Sequence, residues 1–292
     1  MDSAEAMARA LASLGVGGVE IEYRLKEHLL RALLPLLRAA DLKVVSLHHP
    51  VPLAEGAPPR AASGDYLALS SPSPTDRKAG IAAATRSLEF ASSLEAGVVV
   101  FHLGWIPEVE PFWAGFRRLY QDNMTDSEEA ARLRAEAVER RSGLVGPYLD
   151  RAMLSLDKLL GRAERLGVKI ALENRYYFHE VPSVNETAAI LDAFRGAPVG
   201  YWHDVGHAST QERIGFASQR AVLERFQDHL LGVHLHDAQG LDDHLPPGAG
   251  TLDFAALSKP LAAAPLKVLE VRPAPPEQMT EAVALLRDVG IS

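Results

Sequence analysis

Short apolar runs alternate with longer amphipathic stretches along this chain. Seven of the runs are short and mostly rich in β-branched or aromatic residues, as the buried strands of a parallel sheet are. They are Gly18–Tyr23, Lys43–His48, Val98–His102, Val168–Glu173, Val199–Asp204, Leu231–His236 and Lys267–Val271. The stretches between them, such as Arg77–Glu95 and Arg151–Leu166, place apolar residues on one stripe of a helix. The pattern therefore predicts a regular alternation of strands and helices.

Strands that alternate with helices form right-handed βαβ units and a parallel sheet. Seven such strands spread over 292 residues favour an α/β fold of the (β/α)8 TIM-barrel type, built as a single domain over residues 1–292. No glycine-rich phosphate fingerprint follows any strand, which argues against a dinucleotide-binding sheet. The chain begins with a predicted helix, Ala4–Leu14, so the first barrel strand is expected to be absent or altered, with an irregular segment or a neighbouring subunit covering the gap.

The amino-acid composition limits which metal ligands and which partners are expected. The chain has no cysteine, which excludes disulfides, thiolate nucleophiles and Cys-ligated zinc, so any metal must use nitrogen and oxygen ligands. The formal net charge is −8 and no Lys/Arg run is present, which makes nucleic-acid binding a weak expectation. The sequence shows no signal peptide and no apolar run long enough to span a membrane, so a cytoplasmic location is expected.

Imidazoles and carboxylates gather where the predicted strands end. Eight of the eleven histidines lie at or just past strand ends: His48, His49, His102, His203, His207, His234, His236 and His244. Five carboxylates join them: Glu173, Asp204, Asp237, Asp242 and Glu270. A barrel brings all its strand C-termini to one face, and several buried carboxylates need cations beside them. The combination predicts a divalent-metal site, because mixed imidazole and carboxylate ligands suit such ions.

Several motifs among these residues resemble the xylose-isomerase-like TIM-barrel superfamily. They are SLHHP, VVVFHLG, KIALENR, HDVGHA, GVHLHDAQGLDDHLPPGAGTLDF and VLEVRP, and they run from Ser46 to Pro273. That superfamily includes sugar and sugar-phosphate isomerases and epimerases, and also nucleases of the endonuclease IV type. One departure is that Gly248-Ala249-Gly250 stands where the family usually has Gly-Glu-Gly, so one outer carboxylate is missing.

The resemblance implies two sets of metal ligands. In the isomerases one divalent ion would be held by Glu173, Asp204, His234 and Glu270. The endonuclease IV branch adds ligands for a two- or three-metal cluster, which would be His48, His102, His207, Asp242 and His244. His49 could replace His48, although the His-x-Pro spacing favours His48. Zinc or manganese is the expected ion, with magnesium or cobalt as alternatives, and one to three ions per chain.

Three functions follow from these residues. The first is a metal-dependent isomerase or epimerase for a sugar, sugar phosphate or related polyol, in which Glu173 and Glu270 are catalytic and transfer a proton while His207 and Arg272 bind the small-molecule substrate. The second is a phosphoester hydrolase that uses the larger cluster. The third is a non-catalytic barrel, which the two acids Glu173 and Glu270 speak against.

Two long connections are expected to border the site. Pro50–Thr75 is rich in Pro, Ser and Ala and reads as a mobile loop, while Trp105–Asp126 is rich in aromatic residues. The second connection follows a strand end, so it would form a lid, an oligomer contact or a self-packed surface loop. A homodimer is one expectation from this loop and from the missing strand.

Overall fold

A computed structural model describes residues 3–292 and contains one sheet of seven parallel strands. The barrel strands, numbered first to seventh, are Gly18–Ile21, Lys43–His48, Val98–Phe101, Lys169–Glu173, Val199–Asp204, Leu230–Leu235 and Leu266–Leu269. They pair in chain order, each with the next, as repeated βα units require. The predicted α/β TIM-barrel class and its seven strands are confirmed.

The sheet is nearly closed. No pairing joins the first strand to the seventh within residues 3–292, and no eighth strand lies between them there. All four residues of the seventh strand are only half-buried, whereas every residue of Val98–Phe101 is buried. A strand that lacks one neighbour leaves part of its backbone and side chains accessible. The structure therefore agrees with the expectation that the first barrel strand is missing or altered in this part of the chain.

Helices surround the sheet, and several of them begin at a residue whose side chain caps the first turn. Their bounds are Ala4–Ser13, Glu27–Ala39, Pro74–Ser93, Phe112–Gln121, Glu128–Leu166, Val184–Ala193, Val205–Arg213, Gln219–Phe226, Phe254–Ala262 and Pro276–Asp288. The longest begins after Ser127, whose hydroxyl accepts from the Ala130 N–H, and ends at Gly167 in the left-handed conformation. None of the helices in residues 3–292 is long and apolar enough to cross a membrane.

Successive side chains of each strand point alternately into the barrel and toward the helices, which gives an inner and an outer core. Ala171 and Trp202 pack inside the barrel with Val100, whereas Ile170 and Leu172 belong to the outer core that contacts the helices. Trp202 is fully buried, and a side-chain carbon at Gly232 would lie 2.2 Å from its ring. Glycine at this position therefore makes room for the indole that closes the barrel beneath the candidate site.

The two long connections differ in structure. Residues 50–73 form an irregular loop with one 3-10 turn, Pro59–Ala61, and the following helix begins at Pro74. The aromatic connection Trp105–Asp126 is not a loop throughout, because Phe112–Gln121 is a helix that buries Phe116 and Leu119. Two short antiparallel pairs also lie past strand ends, Gly104–Trp105 with Glu180–Val181, and Asp237–Gln239 with Asp242–Leu245.

Candidate metal centre

Three overlapping groups of imidazoles and carboxylates lie at the C-terminal ends of the barrel strands. Within each group, one potential ligand atom from every residue lies within 4.8 Å of the others. The first group is His48, His102 and Glu173; the second is Glu173, Asp204, His234 and Glu270; the third is Asp204, His207 and His244. Glu173 and Asp204 each belong to two groups, so the three form one continuous cluster.

Glu173 is the centre of the cluster. Its Oε2 atom lies 2.6 Å from His102 Nε2 and 3.2 Å from His48 Nε2, and its Oε1 atom lies 2.7 Å from His234 Nδ1. The carboxylate is fully buried, since it ends the central fourth strand and points into the barrel. It therefore faces candidate ligands that lie on or just after three other strands.

Three imidazoles of the cluster have Nδ1 beside a hydrogen-bond acceptor, while Nε2 faces Glu173 in His48 and His102 and lies near Asp243 in His207. Nδ1 of His48 donates to the His49 carbonyl at 3.2 Å, and Nδ1 of His102 to Asp65 at 3.2 Å. Nδ1 of His207 donates to the Asn174 carbonyl at 3.0 Å. A metal-ligating histidine ordinarily donates its second ring N–H in this way, which fixes the ring and its tautomer.

The other two imidazoles follow the same rule. His234 is reversed: its Nε2 donates to Glu20 at 2.9 Å, and its Nδ1 faces Glu173 and Glu270. Nδ1 of His244 lies 2.9 Å from Asp243, which leaves Nε2 toward Glu270 at 3.9 Å. His48, His102, His234 and His244 thus each direct one ring nitrogen at a carboxylate of the cluster, as a divalent ion requires, whereas His207 has Nδ1 nearest to Asp204 and Nε2 near Asp243.

His236 has a different role. Its Nε2 donates to Asp204 at 2.9 and 2.8 Å, while its Nδ1 accepts from the His244 N–H. Both ring nitrogens are thereby used, so this residue orients Asp204 and is not itself among the three ligand groups. Gly206 is the small residue that allows the approach, because a side-chain carbon there would lie 2.0 Å from the His236 ring.

One carboxylate oxygen supports the interpretation as a metal site. Glu270 Oε2 is buried without a hydrogen bond of good geometry, although it lies 2.8 Å from His234 Nδ1. A buried carboxylate oxygen without a donor is costly unless a cation is beside it. The nitrogen and oxygen donors present here fit a divalent ion of the manganese, zinc, magnesium or cobalt kind.

The charges within the cluster shift the pKa values strongly. Burial by itself would raise the pKa of Glu173, but His234 and His102 outweigh it and hold that pKa well below its usual range. For His102, burial and Arg175 act to lower the pKa, while Asp65 and Glu173 raise it to about 9. Without a bound cation, protons on these imidazoles must balance the carboxylates, and a divalent ion would replace them.

Asp242 lies outside the three groups, although the sequence placed it among the ligands. Its carboxylate is 61% exposed and accepts from Arg272 at 3.0 and 2.8 Å. The adjacent residue, Asp243, has the inward place instead, with one oxygen 2.9 Å from His244 Nδ1 and the other 3.9 Å from His207 Nε2. Arg272 therefore stands at the surface with Asp242, and its substrate-binding role stays a prediction.

Three polar residues around the cluster were not anticipated. Glu20 lies on the first strand, where alternation alone points it into the barrel beneath His234. Asp65 lies in the irregular loop, and no periodic signal marks it. Arg175 follows Glu173 in the ENR motif, and only the folded chain shows that its guanidinium is buried and holds Asp65.

Comparison with known proteins identifies the family. The model for the family described as "Xylose isomerase-like TIM barrel" matches residues 8–289, and the chain belongs to this family. Two curated relatives are uncharacterized proteins. One, from Methanocaldococcus jannaschii, is 27% identical over 61% of this chain and 50% of its own length. The other, from Sinorhizobium fredii, is 32% identical over 37% of this chain and 34% of its own length. The matched part thus spans half or less of each relative.

Solved structures with similar folds cover nearly the whole chain. A D-tagatose 3-epimerase-like protein superimposes with a TM-score of 0.70 at 20% identity, covering 99% of this chain and 93% of that chain. The 3-keto-D-glucoside 4-epimerase of E. coli gives 0.67 at 18% identity, covering 99% and 95%. A D-psicose 3-epimerase of Clostridium cellulolyticum gives 0.67 at 14% identity, covering 99% and 94%. At these identities the likeness shows a shared fold.

Proposed function

We propose that this protein is a divalent-metal-dependent isomerase or epimerase of a sugar, sugar phosphate or related polyol. The observation that carries the proposal is the pair of carboxylates that both approach one imidazole nitrogen. His234 Nδ1 lies 2.7 Å from Glu173 Oε1 and 2.8 Å from Glu270 Oε2, at the buried end of the barrel mouth. The fold shared with two sugar epimerases and a D-tagatose 3-epimerase-like protein supports the choice of substrate class.

A bound divalent ion would supply Lewis acidity toward a substrate carbonyl or hydroxyl oxygen. Glu173, Asp204, His234 and Glu270 would hold it. The low pKa values of Glu173 and Glu270 keep both acids ionised, because His234 stabilises their charge despite burial. One ionised carboxylate would then remove the proton from the carbon next to a carbonyl. The other would first take up a proton from solvent and then donate it to the opposite face of that carbon.

His207 is the side chain best placed to bind a substrate hydroxyl in this scheme. Its Nδ1 donates to the Asn174 carbonyl, so Nε2 is a free acceptor near Asp243 in the third group. Tyr176 packs against the edge of its ring, with centroids 5.8 Å apart. The substrate would therefore lie between His207 and the two carboxylates, as a small molecule that enters from the barrel mouth.

Phosphoester hydrolysis is the second candidate, and one observation favours it. Glu173 and Asp204 each belong to two ligand groups, which is the arrangement that a cluster of two or three ions requires. His48 and His102 would then be ligands of a further ion beside Glu173. Asp242 lies outside the cluster, so the ligand set expected for this function lacks one member.

Metal content and activity of the same sample test the two candidates. The isomerase hypothesis predicts about one tightly held ion per chain. It also predicts interconversion of a ketose or aldose, with incorporation of solvent deuterium at the reacting carbon as the readout. The hydrolase predicts two or three ions and release of phosphate or alcohol from a phosphoester. His102→Ala separates them further, because it should cripple the hydrolase and affect the isomerase modestly. Absence of deuterium exchange with every sugar tested, together with phosphoester cleavage, would contradict the first proposal.

A further inference from the structure

The irregular loop between the second strand and the helix Pro74–Ser93 packs directly on two candidate ligands. A side-chain carbon at Gly64 would lie 2.8 Å from His102 Nδ1 and 3.0 Å from His48 Cε1. Gly64 is not among the glycines with positive φ, so its small size is what the site requires. The loop backbone therefore covers the two imidazoles of the first group.

Asp65, the next residue, joins this loop to the cluster through two different donors. Its Oδ1 lies 3.2 Å from His102 Nδ1 and 2.9 Å from Arg175 Nη2, and its Oδ2 lies 3.2 Å from the same guanidinium nitrogen. The carboxylate thus binds the ring nitrogen that faces away from Glu173. His102 is left with Nε2 directed at Glu173 at 2.6 Å.

Arg175 fixes Asp65 in turn. Its side chain is 4% exposed and also contacts Glu180, whose other oxygen accepts from the Tyr177 N–H at 2.7 Å. The guanidinium therefore connects the irregular loop to the segment that follows the fourth strand. Its Nη1 lies 3.9 Å from Glu173, which places the whole chain of contacts beside the first group.

We propose that Asp65 is a positioning residue that sets the tautomer and orientation of His102 for ligation of a metal ion at His48, His102 and Glu173. The inference rests on the second candidate of the proposed function, in which a further ion binds beside Glu173 in addition to the ion of the isomerase. A carboxylate on the second nitrogen of a ligating imidazole raises its basicity and fixes its plane, and loss of such a partner typically lowers metal affinity by about 10–100-fold. Asn at position 65 keeps the size, but its single oxygen cannot replace both carboxylate oxygens, and its amide N–H groups would face other donors.

The test is a Co²⁺ titration of chelator-stripped protein, followed by visible absorption and by competition with a chelator. His102→Ala should abolish binding of the ion at the first group. Asp65→Asn should lower the affinity for that same ion by about 10–100-fold and leave the affinity for the ion at the second group unchanged. Asp65→Glu should restore part of the affinity, since the carboxylate is kept. Glu55→Gln is the matched control, because Glu55 is a solvent-exposed acid of the same loop that contacts His28.

Each outcome supports or overturns the inference. Selective weakening in Asp65→Asn supports it, whereas equal weakening of both ions would indicate a general loosening of the fold and overturn it. Wild-type affinity in Asp65→Asn overturns it and leaves the proposed function standing. One Co²⁺ per chain that His102→Ala does not affect also overturns it. Two ions with the expected response, but no sugar interconversion, would support the inference and contradict the isomerase.

Discussion

Glu173→Gln is the perturbation that tests the site most directly. The substitution keeps the size of the side chain but removes the charge that faces His48, His102 and His234 at 3.2, 2.6 and 2.7 Å. Removal of a general base costs about 10²–10⁴-fold in rate. We expect kcat to fall about 10³-fold, which corresponds to about 4 kcal/mol of transition-state stabilisation at about 1.4 kcal/mol per decade. Metal content should also fall, because Glu173 belongs to two ligand groups.

A second buried carboxylate provides the matched control. Glu186 accepts from Arg141 at 2.9 and 2.7 Å and caps the helix Val184–Ala193 together with Ser183, away from the cluster. Glu186→Gln should lower the melting temperature by several degrees because it weakens a buried ion pair, while kcat and metal content stay close to wild type. Steady-state kinetics, elemental analysis and thermal melts of both variants are the measurements. Full activity in Glu173→Gln would show that the catalytic site lies elsewhere.

The remaining predictions concern the packing around Trp202 and the protonation of the cluster histidines. Gly232→Ala should lower the free energy of unfolding by about 1–3 kcal/mol in denaturant unfolding, since the added carbon would overpack Trp202. Gly97→Ala should cost less, because a side-chain carbon there has no neighbour within 4 Å. Equal losses in the two variants would refute this account of the packing around Trp202. Burial lowers the pKa of His102 and of His244, but nearby carboxylates raise both to about 9. Their stabilising contribution is present below about pH 6.5 and lost as the pH rises through about 9. Chelator-treated protein should therefore melt at lower temperature at pH 9 than at pH 6.5, and metal-loaded protein should show a smaller change; a pH-independent melt of the treated protein would contradict the assignment. Metal uptake at pH 7 should release protons, which calorimetry in buffers of different ionisation enthalpy measures.

The fold and most candidate ligands were predictable because each depends on a local pattern. Parallel strands of this barrel are short apolar runs that end in polar residues, so Glu173 and Asp204 could be placed at strand ends by reading along the chain. Once the strands form a barrel, these ends must converge. The number of strands followed for the same reason, as did the exclusion of cysteine ligands.

Residues outside regular elements escaped this reasoning. Asp65 lies in an irregular loop, where no period relates sequence position to direction, and only the packing of Gly64 on two imidazoles brings it to His102. A similar cause explains why Asp243 faces the cluster and the predicted Asp242 does not. His244 has a φ of 58° and the hairpin register shifts between Asp242 and Leu245, so alternation no longer tells which acid faces inward.

The sequence by itself determined which chemistry is available, because residue types and strand spacing fix the donors and the face to which they belong. The tertiary structure decided which nitrogen of each imidazole is free, since that depends on the acceptor placed behind it. For His234 this acceptor is Glu20, more than two hundred residues away in the chain and 2.9 Å away in space. Such a contact forms because the sheet curls until its first and sixth strands face each other across the barrel interior, which no local pattern of residues encodes.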